Sequence, residues 1–105
     1  MEITKITDKY DFYQDGASYV VDFGEVKRAE DKSVIIQITG VEEAGLLELG
    51  NTCGCTTIGK TLIDKNTATF KLAYTECSKE FNKVVKINYN KKQLTTILLK
   101  GKCQQ

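Results

Sequence analysis

Histidine, proline and tryptophan are all absent from this sequence. Histidine is the side chain that most often acts as a general base near neutral pH, and it is the commonest protein ligand of metal ions. Its absence therefore removes the usual centre of acid–base catalysis. No other pair of residues in the sequence has the pattern of a catalytic pair, so we expect a protein that is not an enzyme.

Neither sign of charge is in excess, because 15 Lys and Arg residues stand against 14 Asp and Glu residues, for a net charge of +1. Proteins that bind nucleic acid or anionic membranes rely on a basic excess. Long hydrophobic runs are also missing: the densest, Ile97-Leu98-Leu99, is far shorter than the roughly 20 residues that span a bilayer. We expect no nucleic-acid partner and no membrane partner.

The chain has 105 residues and a mass of 11.8 kDa, which fits one domain with one modest core. Its N-terminus lacks a basic start followed by an apolar run, which predicts no secretory signal. We divide the chain into an N-terminal arm over residues 1–16, which ends at the turn signal Asp15-Gly16, and a β-sandwich domain over residues 17–105.

Short segments of alternating apolar residues recur along the domain at the spacing expected of a sandwich. They predict seven strands, at 18–26, 33–39, 45–49, 60–63, 67–74, 83–90 and 93–103. Turns are predicted at 64–66 and 90–92, a loop at 75–82, and one helical turn at most within 41–49. This pattern predicts an all-β protein with a single immunoglobulin-like β-sandwich of about seven strands; a small barrel is the alternative.

The same alternation predicts which side chains form the core between the two sheets. The expected core residues are Phe23, Ile36, Leu47, Phe70, Leu72, Val85, Ile87 and Leu99.

Several segments together resemble a known family. They are Asp22-Phe23-Gly24-Glu25-Val26, Cys53-Gly54-Cys55-Thr56, the strand ending in Tyr89-Asn90, and Leu98-Leu99-Lys100-Gly101. Their order over residues 19–103 resembles the Hydin-type immunoglobulin-like (ASH-like) family, and most closely its bacterial branch with a Cys-Gly-Cys-Thr motif. The resemblance implies a seven-stranded sandwich used for docking and scaffolding, with no known catalytic residues to carry over.

The four cysteines are Cys53, Cys55, Cys77 and Cys103. One C-x-C pair and two distant single cysteines fit structural zinc poorly, because zinc sites typically use two C-x₂₋₄-C pairs. Cys53, Cys55 and Cys103 are the candidates for a soft-metal site, and disulfides are a further alternative. We expect neither metal nor cofactor, and four free thiols, with Cys55 and Cys103 as small buried hydrophobic residues.

The arm carries five apolar side chains that precede the first predicted strand: Ile3, Ile6, Tyr10, Phe12 and Tyr13. Such groups must be buried either on the domain itself or on a partner. We expect them to contact another chain, because the predicted sandwich can close without them. At the other end of the chain, Lys91, Lys92, Lys100 and Lys102 are interpreted as charges that protect an edge strand from aggregation.

These observations lead to a function as a structural or interaction module that is one subunit of a larger assembly. A signal-free domain of this family with an arm suits an auxiliary (decoration) protein of a bacteriophage virion, assembled in the host cytoplasm, with capsid or other virion proteins as partners and multiple copies per particle. The alternative is a bacterial envelope protein whose Cys-Gly-Cys motif binds metal or is redox-active, or a protein of the bacterial cytoplasm or periplasm.

Overall fold

Ten β-strands make up most of the computed structural model, which describes residues 2–5, 10–27, 32–42, 45–51, 56–59, 62–74 and 80–104. Over these ranges no helix is present. The strands are β1 (Glu2–Lys5), β2 (Asp11–Asp15), β3 (Ser18–Lys27), β4 (Ser33–Thr39), β5 (Leu47–Asn51), β6 (Thr56–Ile58), β7 (Leu62–Asp64), β8 (Thr67–Tyr74), β9 (Phe81–Tyr89) and β10 (Lys92–Gln104).

The strands form two sheets, which we call sheet A and sheet B. Sheet A has the order β1-β4-β8-β6, and β7 is its fifth strand, which also pairs with β8. Sheet B has the order β2-β3-β10-β9-β5, in which β3 and β10 run parallel and all other neighbours are antiparallel. The predicted all-β sandwich is confirmed.

The topology is that of a constant-type immunoglobulin domain with one addition. In that fold, strands A, B, E and D form one sheet and strands C, F and G the other. Here β1, β4, β8 and β6/β7 take the A, B, E and D positions, and β5, β9 and β10 take C, F and G. The β2–β3 hairpin is inserted between the A and B positions and extends sheet B beyond β10, so the described residues contain more strands than the expected seven.

Three tight turns connect neighbouring strands, and their backbone angles explain why the chain reverses there. Lys65 and Asn66 have φ of 48° and 65°, and Asn90 and Lys91 have φ of 53° and 66°. Two consecutive residues with positive φ are typical of two-residue type I′ hairpins. Gly16, with φ of 61°, begins the third turn, between β2 and β3. All three turns lie at predicted turn signals.

The core lies between the inner faces of the sheets and contains the residues that alternation predicts. Seven of the eight expected core side chains are buried, with exposures between 0% and 4%. Leu47 is half-buried and packs against the core. Burying large aliphatic and aromatic side chains at about 1.5–3 kcal/mol each is the main stabilising contribution to a sandwich of this size.

The N-terminal arm differs from its expected place. Ile3 lies in β1, which pairs with β4 at the edge of sheet A, and β2 pairs with β3 at the edge of sheet B. Tyr10 is buried, with its ring edge-on to Phe23 at a centroid distance of 4.6 Å. The expectation that the sandwich closes without residues 1–16 is therefore corrected: the described part of this segment supplies edge strands and core side chains of the same domain.

A second correction concerns the last hairpin, whose strand β10 was expected at an edge. β10 is the central strand of sheet B, between β3 and β9. The reason is that β3 pairs with β10 in parallel, a long-range contact that alternation within single segments cannot show. Lys100 and Lys102 therefore project from an interior strand and do not protect an edge.

Candidate interaction surface

The five residues expected to contact a partner have different surroundings. Ile3 and Tyr10 are buried in the core, and Phe12 is half-buried and stacks on Tyr19 at 5.4 Å. Ile6 lies outside the described residues. Tyr13 alone of the four described ones is exposed, at 43%. Among the described members of this set, Tyr13 is therefore the one that a second protein can reach.

Tyr13 belongs to a row of four apolar residues that crosses the outer face of sheet B. The register places Tyr13 of β2 opposite Val20 of β3, Val20 beside Leu98 of β10, and Leu98 opposite Val84 of β9. We call these four residues the outer row. With neighbouring strands about 4.8 Å apart, the row extends about 14 Å across the sheet.

The outer row faces away from the core. Val21, Val85 and Leu99, the next residue on each strand, are completely buried on the inner face. Because successive side chains of a strand point to opposite faces, Val20, Val84 and Leu98 point outward. Consistent with this, Val20 is 3% exposed yet lies outside the core cluster.

Charged groups border one side of the outer row. Asp22 lies next to Asp11 and Lys100 in the neighbouring register row, and the Lys100 Nζ is 3.9 Å from the Asp22 Oδ2. The same ammonium lies 6.0 Å from the centre of the Tyr13 ring. A hydrogen bond to Tyr13 and the attraction of Tyr13 and Asp22 raise the pKa of Lys100 above its usual value, so this group is a cation at every physiological pH.

The outer face of sheet A has a different character. Ile35 is 38% exposed, and its neighbour across the strand pair is Lys71. Leu62 is 60% exposed, and its cross-strand neighbour is Thr69. Single apolar residues among polar ones are ordinary for a protein surface, whereas the four apolar residues on sheet B are contiguous.

A β-bulge shapes the end of sheet B beside the outer row. Lys100 pairs with Asp22 but Lys102 pairs with Glu25, so β3 has one extra residue here. Gly24 takes a φ of 66°, and its N–H donates to the Asp22 Oδ1 at 2.9 Å. Such a turn of the backbone suits glycine, and bulges commonly reorient side chains near functional sites.

A surface groove with a volume of about 360 Å³ lies at this bulge. Its lining includes three carboxylates and two ammonium groups, from Asp22, Glu25, Glu80, Lys100 and Lys102. Among the described lining residues the two signs are therefore mixed, and these residues do not form a field of one sign.

The cysteine chemistry differs from the sequence expectation. Cys103 is 3% exposed, as expected, but it is disulfide-bonded. The expectation of four free thiols is therefore wrong. It assumes a reducing environment on the basis of the N-terminal residues, and the cysteines themselves carry no information about that environment in their local sequence. Cys53, Cys55 and Cys77 lie outside the described residues.

The disulfide also bears on metal binding. A sulfur held in a disulfide is not a thiolate ligand, so Cys103 is no longer a candidate for a soft-metal site. Within the described ranges, no group of three or more His, Cys, Asp or Glu side chains is arranged to hold a metal ion. The candidates Cys53 and Cys55 lie outside those ranges.

Two members of the outer row, Val20 and Val84, were not predicted as surface residues, whereas alternation along β10 places Leu98 on the face opposite Ile97 and Leu99. The signal that identifies all three is an apolar doublet on a strand: Val20-Val21, Val84-Val85 and Leu98-Leu99. On a strand with one residue of a doublet in the core, the other must face outward. Phe12-Tyr13 follows the same rule, with Phe12 inward and Tyr13 outward.

Among the described residues, the structure has no helix of the length and hydrophobicity needed to cross a membrane. Comparison with protein-family models, curated proteins and solved structures found no match for this chain.

Proposed function

We propose that this chain is a non-catalytic interaction module, one subunit of a larger protein assembly, which docks through the outer row on sheet B. The observation that carries the proposal is the continuity of the row: four apolar side chains from four adjacent strands lie in one line on an outward face.

The composition of this surface supports docking to a protein. Protein interfaces have an apolar centre, are enriched in aromatic anchors, and are bordered by a polar rim. Tyr13 is the exposed aromatic anchor, the half-buried Val84 and Leu98 extend the apolar centre, and Asp22 and Lys100 form part of the rim. The surface lies on a rigid sheet, so little conformational entropy is lost when a partner binds.

We place this assembly in a bacteriophage virion, where the chain is an auxiliary (decoration) protein bound to capsid or other virion proteins in multiple copies. The step from fold to virion is an analogy, since immunoglobulin-like sandwiches serve many unrelated roles. The disulfide at Cys103 supports a location of the protein on the outside of the virion, because disulfides persist at virion surfaces and are rare in the reducing cytosol.

A bacterial envelope protein is the second candidate, and the same disulfide favours it, because the periplasm is also oxidising. Elemental analysis and gene neighbours separate the two candidates. Stoichiometric zinc or copper would favour the envelope protein, and adjacent genes for portal and capsid proteins would favour the virion protein.

Native mass spectrometry of the assembly isolated from its natural source tests the docking surface. Four forms of the chain are compared: the wild type, the single variants Leu98→Lys and Tyr13→Ser, and the control Ile35→Lys. The control introduces the same charge on the outer face of sheet A. We expect the first two variants to bind at least about 30-fold more weakly, as hot-spot substitutions do, and Ile35→Lys to bind as wild type. Wild-type binding by folded Leu98→Lys and Tyr13→Ser would refute the proposal.

A further inference from the structure

Strand β2 forms one edge of sheet B and carries a regular pattern of charges. β2 is the outermost strand of that sheet and, over the described residues, pairs on one side only, with β3. Four of its five residues are exposed. A strand in this position offers unpaired backbone groups to an added strand.

The hairpin fixes which backbone groups of β2 are available. Asp15 and Ser18 flank a two-residue turn. In such hairpins the flanking pair exchanges both backbone hydrogen bonds, and bonded and non-bonded pairs then alternate. Phe12 and Gln14 therefore direct their N–H and C=O groups to the open side of the strand.

The outward side chains of β2 alternate in charge and aromatic character. Asp11, Tyr13 and Asp15 share the face of the outer row, because Tyr13 lies opposite the outward Val20 and the other two lie two residues away. Among the described residues of this edge, Asp11, Asp15 and Asp22 contribute three carboxylates and Lys100 contributes one ammonium. The described part of the edge is acidic although the whole chain has a net charge of +1.

A second copy of the chain fits this edge poorly. In a pair of copies related by a two-fold axis, one antiparallel register pairs all five residues of β2 with each other. It places Tyr13 opposite Tyr13, and it places Asp11 of each copy opposite Asp15 of the other. Like charges directly opposite each other on one face destabilise a strand pair. The edge therefore disfavours self-association in this register and favours a strand that brings cations to the same two positions.

We propose that β2 binds an extended segment of a different protein by strand addition, and that this segment carries Lys or Arg at the two positions opposite Asp11 and Asp15, with an apolar residue between them opposite Tyr13. This inference rests on the proposed docking at sheet B and names the chemistry of the partner there.

The test is a titration of the full-length, ¹⁵N-labelled protein followed by amide chemical shifts. The probes are an acetylated and amidated Lys-Thr-Val-Thr-Lys peptide, the matched Glu-Thr-Val-Thr-Glu peptide, and the basic peptide N-methylated at every residue. We expect the basic peptide alone to bind, with the largest shifts at the amides of Phe12 and Gln14, and added salt to weaken it. Equal binding of the acidic or N-methylated peptide would overturn the proposal.

The double variant Asp11→Asn, Asp15→Asn tests the carboxylates, and we expect it to keep the fold because both positions are exposed. We expect the basic peptide to bind it roughly 2- to 30-fold more weakly, since each cross-strand charge pair contributes modestly. Unchanged affinity would overturn the proposal. Two combined outcomes separate this inference from the proposed function. If Leu98→Lys loses assembly but the wild-type protein does not bind the basic peptide at β2, this inference alone is refuted. If the wild-type protein binds the peptide at β2 but Leu98→Lys still assembles, the proposed function alone is refuted.

Discussion

Tyr13 on β2 lies directly opposite Val20 on β3, and Val20 is almost completely buried although it faces away from the core. Its nearest neighbours on that face are Tyr13 on one side and Leu98 on the other, at the close spacing of adjacent strands. The two side chains cover Val20, so sheet B carries a thin apolar layer on its outside as well as a core on its inside.

Phe70 tests the core. Its side chain is 2% exposed on β8, and we expect Phe70→Ala to lower the free energy of unfolding by about 3–5 kcal/mol, because a large cavity replaces it. Ile35→Ala on the neighbouring strand is the control, and its effect should be well below that of Phe70→Ala. Urea denaturation measures both variants, and a loss below about 1 kcal/mol for Phe70→Ala would show that the wrong face of β8 has been placed inward.

Tyr10 tests whether the segment before β2 belongs to the domain. Its ring contacts Phe23, which lies 5.9 Å from Phe81, and Phe81 stacks on Tyr74 at 4.0 Å. We expect Tyr10→Ala to cost about 3–5 kcal/mol, as for other buried aromatic residues, and Tyr13→Ala about 1 kcal/mol or less. Thermal unfolding of the two variants separates the cases, and equal small losses would mean that Tyr10 is not part of the core.

Cys103 tests the disulfide. Two of the four cysteines are consumed by its bond, so thiol titration of the unreduced protein in denaturant should find no more than two free thiols. Reduction should lower the free energy of unfolding by about 2–5 kcal/mol, because the unfolded chain loses a constraint. Cys103→Ala should lose a similar amount. Four free thiols in freshly purified protein would contradict the structure, and peptide mapping without reductant identifies the partner cysteine.

Gly101 and Gly50 form a matched pair of glycine substitutions in sheet B. A Cβ at Gly101 would lie 2.8 Å from the Phe81 Cζ and 2.9 Å from the Gly24 carbonyl oxygen, whereas a Cβ at Gly50 meets nothing within 4 Å. We expect Gly101→Ala to destabilise the protein by about 1–3 kcal/mol and Gly50→Ala to be neutral or slightly stabilising. Urea denaturation of both variants measures the difference in the free energy of unfolding. Equal effects would contradict the close approach of β3 and β10 at the bulge.

The sequence predicts what is local. Alternation of Val34, Ile36 and Ile38 predicts β4 with the observed bounds, and Asp64-Lys65-Asn66 and Asn90-Lys91 mark observed turns. The parallel pairing of β3 with β10 joins residues about 80 positions apart, and no local pattern contains that information. The same limit explains why β10 was expected at an edge.

The candidate surface was predictable in part. Tyr13 was identified from its place in an apolar arm, but Ile3 and Tyr10 satisfy their burial within the domain, because β1 completes sheet A and Tyr10 packs on Phe23. The doublets Val20-Val21, Val84-Val85 and Leu98-Leu99 show that three strands carry apolar residues on both faces. Their alignment into one row depends on strand order and register, which only the folded structure provides.

Photo-crosslinking within the native assembly is the most direct measurement of docking through the outer row. A photoreactive benzoylphenylalanine is placed at position 13 in one sample and at position 35, on the outer face of sheet A, in another. We predict that the chain with the probe at position 13 crosslinks to one partner protein of the assembly, and that the chain with the probe at position 35 does not. Crosslinking from position 35 with none from position 13 would contradict docking through sheet B.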